Sequence, residues 1–324
     1  MSKVIDLCLD LPPGEEQIVS LIKLYVLDRG EKGLANYRYI FGPAKVHALG
    51  LTFEELERMS GELSPEEFDS MLRDRAKQLV IPLPQFVKEL DEAGVEWGIT
   101  RVAGGTNEQT AEVVAQFPNK FLGVAIANPH EGMKGVRELE RAVKELGLSG
   151  FFASPYTFGI RLNDKKFYPL YAKAVELSTP MFCYCSMNYR SDYPMDVGRP
   201  LYLDEVAMDF PEMTIFAGWG GGGGWPWVPE MIGVARRHQN VYINTSAHRP
   251  KYLATPGSGW EMLMQFGNTL LQDRIVFASG WANYLPYSEG VIKNVIQEMR
   301  ALPLKEEVKE KWLYHNAARL FHRD

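Results

Sequence analysis

The chain has 324 residues, 46% of them apolar, and a formal net charge of -6, enough apolar content for one large core. No basic run is longer than a pair such as Arg236-Arg237, which argues against a nucleic-acid partner. No stretch approaches the eighteen apolar residues of a membrane span, and the start Met1-Ser2-Lys3-Val4-Ile5-Asp6 lacks a secretory pattern, so no membrane partner and a cytoplasmic location are expected.

In chain order, β-rich runs at 3–9, 95–100, 121–126, 149–154, 180–185, 213–218, 240–245 and 274–279 alternate with helical patterns. Eight such units predict an α/β fold, a (β/α)8 TIM barrel forming a single domain over 1–324. Roughly seventy residues separate the first two strands, far more than an ordinary βα loop, so 11–80 is expected to be a helical insertion after strand 1. Within it 15–29 and 64–80 look helical, and Leu51-Thr52-Phe53-Glu54-Glu55 and Leu63-Ser64-Pro65-Glu66-Glu67 each resemble a helix start: a hydroxyl cap, then acids in the first turn. The aromatic and basic run 36–43 is expected at the barrel's C-terminal face. The insertion either caps a pocket or joins subunits, and a homodimer or higher homo-oligomer is one expectation. Further on, Val136, Leu139, Ala142, Val143 and Leu146 recur at helical spacing through 133–147, with Gly147 as the stop. The run Gly220–Gly224 lacks the Gly-Lys-Ser/Thr ending of a phosphate loop and reads as a flexible connection. Cys8, Cys183 and Cys185 are too few and too irregular for a disulfide framework.

Several motifs occur in order: Phe117-Pro118-Asn119-Lys120-Phe121-Leu122-Gly123-Val124-Ala125, Leu146-Gly147-Leu148-Ser149-Gly150-Phe151, Phe167-Tyr168-Pro169-Leu170-Tyr171, Asp209-Phe210-Pro211-Glu212-Met213, Trp225-Pro226-Trp227, Asn240-Val241-Tyr242-Ile243-Asn244 and Asn316-Ala317-Ala318-Arg319-Leu320-Phe321. Together they resemble the amidohydrolase-related (amidohydrolase 2) family, in the branch of the aminocarboxymuconate and resorcylate decarboxylases. The resemblance implies a metal-binding Asp-x-His-x-His at strand one, a His ending strand five, another on strand six and an Asp on strand eight. This chain has Asp6-Leu7-Cys8-Leu9-Asp10, Tyr184, Trp219 and Gly280 there. The metal ligands of the family are therefore expected to be lost. Cys8, Asp10 and Cys185 remain as a conceivable substitute set, although adjacent strand positions alternate sides. A metal-free pocket with no cofactor is the expectation.

In barrels of this type the chemistry sits at the C-terminal strand ends. Asp10 is the acid/base candidate, since burial among aromatics would raise its pKa, and its plain alternative is a loop cap. Tyr184 could donate to an oxyanion or simply fill volume, and His248 could exchange protons near neutral pH or lie exposed, as could His130. Cys8 is either a pocket nucleophile, should a neighbouring cation favour its thiolate, or an inert core residue; Cys183 is read as core. Arg101 could clamp a carboxylate or form a surface ion pair. Tyr156, Asn188, Trp219, Trp281 and Asn283 complete a substrate-binding rim, with Tyr189 and Tyr284 beside it. The leading expectation is a metal-independent hydrolase acting on a small, aromatic or carboxylated molecule (ester, lactone, thioester, amide or ring cleavage). A decarboxylase or other carbon–carbon lyase is the alternative, and a non-catalytic small-molecule binder the third.

Overall fold

Eight parallel strands follow one another around a barrel: β1 (Val4–Asp6), β2 (Val95–Thr100), β3 (Phe121–Ile126), β4 (Gly150–Ala153), β5 (Met181–Tyr184), β6 (Ile215–Gly218), β7 (Val241–Asn244) and β8 (Ile275–Val276). The computed structural model describes residues 3–27, 42–187, 190–218, 226–246, 249–280 and 290–323. Each strand pairs with the next, for example Phe152 with Phe182 and Cys183 with Ala217, and the β1–β2 register shifts by one residue between Val4 and Ile5. The ring closes between β8 and β1, where Leu7 N donates to the Phe277 carbonyl and Gly280 N to the Cys8 carbonyl, both at 3.0 Å. The expected TIM barrel is what the chain forms.

Alternation along the strands divides the core in two. Ile5, Leu7, Cys8, Trp97, Ile99, Val124, Phe152, Phe182, Phe216, Val276 and Ala278 form the cluster inside the barrel. The other strand faces, with Val4, Leu9, Val95, Phe121, Phe151, Cys183, Ile215 and Ile243, pack against the surrounding helices. Phe321, at the end of the last helix (Asn316–Leu320), stacks on Phe216 at 5.7 Å and meets Trp97 edge-on at 5.3 Å, so it sits against the interior cluster.

Strands β2 and β3 have the expected bounds, whereas β1 and β8 are shorter than the runs 3–9 and 274–279. Side chains interleave with backbone bonds there: Asp6 takes the amides of Cys8 and Ser279, and Thr245 Oγ1 takes the amide of Ala278 at 3.1 Å, while Leu9 N still donates to Ile99 O at 2.8 Å.

The insertion folds as helices α1 (Glu15–Ile22), α2 (Gly42–Ala48), α3 (Phe53–Glu62) and α4 (Pro65–Ala76). Both expected helix starts are capped. Thr52 Oγ1 and Ser64 Oγ accept the amides of Glu55 and Glu67 at 3.2 Å, and each Glu carboxylate reaches back to the capping residue's amide. The pattern over 15–29 is helical throughout its described part, α-helical to Ile22 and continuing as a wider π-helical turn over Lys23–Leu27. Ile18, Val19, Ile22, Val46, Leu56, Phe68 and Leu72 form a third cluster belonging to the insertion itself. The stretch 28–41, which holds most of the aromatic run, lies outside the described residues.

Candidate active site

The site begins where β1 ends. Asp6 is fully buried, and its Oδ1 accepts from Cys8 N at 3.0 Å and Ser279 N at 2.9 Å, which joins the C-terminal ends of the first and last strands. Asn244 adds a second tie from β7, donating to the Leu7 carbonyl at 3.3 Å and accepting from Ser246 N at 2.9 Å. Gly280 has φ +54 and donates to Cys8 O, a left-handed backbone that glycine adopts without steric cost. This frame presents Cys8 and Asp10 at the barrel's mouth.

Cys8 is 1% exposed, belongs to the interior cluster and shares a hydrogen bond with Ser246. Burial pushes its thiol pKa well up, and Asp10 and Asp6 push it further, against the pull of Arg101. A neutral thiol follows, which suits packing better than nucleophilic attack. Asp10 is buried as well, and burial raises its carboxyl to about 6; Arg101 opposes the rise and Asp6 adds to it. Burial also raises Asp6, against hydrogen bonds from Ser279 and the Cys8 amide.

Arg101 leaves β2 with its guanidinium 4.6 Å from the centre of the Phe152 ring and acts electrostatically on both Asp10 and Cys8. Its loop is a tight turn: Gly105 N donates to Val102 O at 3.1 Å, and Val102 N donates to Thr110 Oγ1 at 3.1 Å. A Cβ on Gly105 would lie 2.5 Å from both Val102 Cγ1 and Gln109 Oε1, so a larger residue would displace these side chains. The structure thus brings Cys8, Asp10 and Arg101 together.

Tyr184 packs against the interior cluster and directs its hydroxyl to the Met187 carbonyl at 3.0 Å, so its proton is engaged within the chain. Its ring lies 5.4 Å from that of Tyr156. Arg190, which the sequence reading passed over, stacks 4.5 Å from Tyr193 and 6.0 Å from Tyr156 while paired with Asp192. His130 is fixed structurally, with Nε2 2.9 Å from Phe158 O and Nδ1 3.2 Å from Lys166 Nζ. Asn188, Trp219, His248, Trp281 and Asn283 lie outside the described residues, as do Tyr189, Tyr284 and the glycine run. Asp6 and Ser246 were the missed neighbours; the available signal was an acid buried on a strand beside two further site positions.

The substitute metal set does not assemble. Cys8 faces the interior, whereas Cys185 and Cys183 pack in the outer cluster between sheet and helices, and burial raises both of those thiols. Among the described residues no group of three or more His, Cys, Asp or Glu side chains could hold a metal ion. A catalytic zinc typically needs three protein ligands, and these residues do not supply them.

The sequence profile described as "Amidohydrolase" matches residues 51–323. The 2-keto-4-carboxy-3-hexenedioate hydratase of Sphingobium sp. strain SYK-6 is 28% identical over 170 residues, 47% of this chain and 50% of that protein. Decarboxylase orsB of Emericella nidulans is 26% identical over 134 residues, 39% of this chain and 35% of that protein. The chain thus spans half or less of these curated relatives. Among solved structures, an uncharacterized TIM-barrel protein from Bordetella bronchiseptica superposes with a TM-score of 0.66 at 23% identity, covering 99% of each chain. The 5-carboxyvanillate decarboxylase LigW from Sphingomonas paucimobilis gives 0.63 at 16%, also covering 99% of each. These two likenesses bear on the fold.

Proposed function

Because the chain belongs to the amidohydrolase family, we propose that it is a lyase of that family, a decarboxylase of a small aromatic or unsaturated carboxylic acid. The observation that carries the reading is a buried carboxyl, Asp10, raised to about 6 beside the Arg101 guanidinium at the mouth of the barrel. Arg101 holds an anionic oxygen of the substrate, with Phe152 steadying the guanidinium from below. Protonated Asp10 delivers its proton to the carbon that bears the carboxylate. The carbon–carbon bond then breaks, its electron pair returns to the unsaturated system, and carbon dioxide leaves. Solvent restores the Asp10 proton.

The similarity to a decarboxylase supports this reading, and the similarity to a hydratase supports a close second one, since adding or removing water beside a carboxylate also moves a proton at carbon. Hydrolysis, the leading expectation from the sequence, would use the same Asp10, but neither curated relative carries a hydrolase's name. In this reading the proton of Asp10 is the electrophile.

The test is carbon dioxide release from a panel of hydroxylated aromatic acids and unsaturated di- and tricarboxylic acids. Release from at least one acid, with Asp10→Asn lowering turnover about 100-fold or more, supports the proposal. Silence across the panel, or full turnover in Asp10→Asn, rejects it.

A further inference from the structure

We propose that Gln17 is a positioning residue, whose carboxamide ties the insertion to the loop that carries Arg101 and so fixes Arg101 relative to Asp10. Gln17 is the third residue of α1. Its Oε1 accepts from Gly14 N at 3.0 Å, and its Nε2 donates to the Ala103 carbonyl at 3.2 Å. Only one orientation of the amide satisfies both partners; the flipped amide would set NH2 against N–H and oxygen against carbonyl.

The two partners occupy informative places. Gly14 ends the stem Leu11-Pro12-Pro13-Gly14, which leaves the barrel directly after Asp10, and Ala103 lies two residues beyond Arg101. The Arg101 loop is closed on itself from Val102 to Gly105 and tied to Thr110, which leaves the Ala103 carbonyl exposed at its outer side. Gln17 grips it there. The insertion itself is internally braced, by its own apolar cluster, by Lys23–Asp69 and Arg73–Glu15 ion pairs, and by Arg75 donating to Leu49 O at 2.7 Å. A braced unit held to the loop by Gln17 carries the loop with it, so any shift of the insertion reaches the cation that faces Asp10.

Two variants separate this role from simple helix capping. Gln17→Glu keeps an oxygen for Gly14 N and loses the donor to Ala103; Gln17→Met loses both. Amide exchange of 101–106 and calorimetric affinity for benzoate are measured on the full-length protein. Faster exchange of 101–106 by threefold or more in both variants, with benzoate binding weakened by a similar factor, supports the proposal. Exchange that is unchanged in Gln17→Glu, or raised only in Gln17→Met together with α1, assigns the residue to helix capping and overturns it. The affinity arm rests on the reading of Arg101 as an acid-holding group. Faster loop exchange in both variants with no benzoate binding to wild type would uphold the tie and reject that reading.

Discussion

At the scale of single residues, Asp10 gathers the site's conflict. Its carboxyl is raised from an ordinary 3.8 to about 6, so the folded protein binds this proton more tightly than the unfolded chain does. The associated stability is complete below about pH 4 and is lost as pH rises through about 6. Asp10→Asn, neutral throughout, is therefore expected to be more stable than wild type at pH 8, by up to roughly 3 kcal/mol in urea unfolding, with the gap closing at pH 4. Equal stability at both pH values would contradict the assigned shift. For turnover the sign is the same: a proton donor with this pKa loses about tenfold in rate per pH unit above 6. Metal content is the companion measurement. Less than about a tenth of an equivalent in untagged protein, by elemental mass spectrometry, is expected since the described residues supply no ligand triad, and a full equivalent would contradict that reading. The sequence made Cys8, Asp10 and Arg101 legible because strand ends face the mouth. It hid Asp6, whose importance comes from Ser279, a residue that only barrel closure brings near.

At the scale of elements, β2 and β3 were readable to the residue because apolar runs with helices on either side leave few alternatives. β1 and β8 were not, because side-chain oxygens interrupt the backbone bonds at their ends and spacing alone carries no sign of that. Close approach of β6 and β7 offers a sharp test. A Cβ at Gly218 would stand 2.4 Å from the Asn244 carbonyl, backbone that cannot rotate away. Gly218→Ala is expected to cost about 2 kcal/mol or more in chemical denaturation, and because Asn244 also holds Leu7 and Ser246, the variant should lose ligand affinity as well. Wild-type stability in this variant would refute the packing described.

At the scale of the whole molecule, the insertion and the barrel have separate apolar clusters. The length between the first two strands announced the insertion; its internal core was not legible, since helical spacing shows which face is apolar and not what covers it. We expect the two parts to open independently. Leu56, fully buried in the insertion, should cost about 2–5 kcal/mol locally when changed to Ala. Hydrogen exchange should then quicken through 53–76 while β3 to β7 keep their protection, and loss of protection everywhere would show a single cooperative unit instead.

The tie from Asp6 to Ser279 spans 273 residues. Drawing such distant points of a chain together costs about 5 kcal/mol in closure entropy, and nothing made earlier can substitute for the partner. During synthesis the acid of the first strand lacks this partner until Ser279 has left the ribosome. The join that frames the barrel's mouth is completed only then, and in a product cut short after β7 Asp6 should keep the Cys8 amide alone.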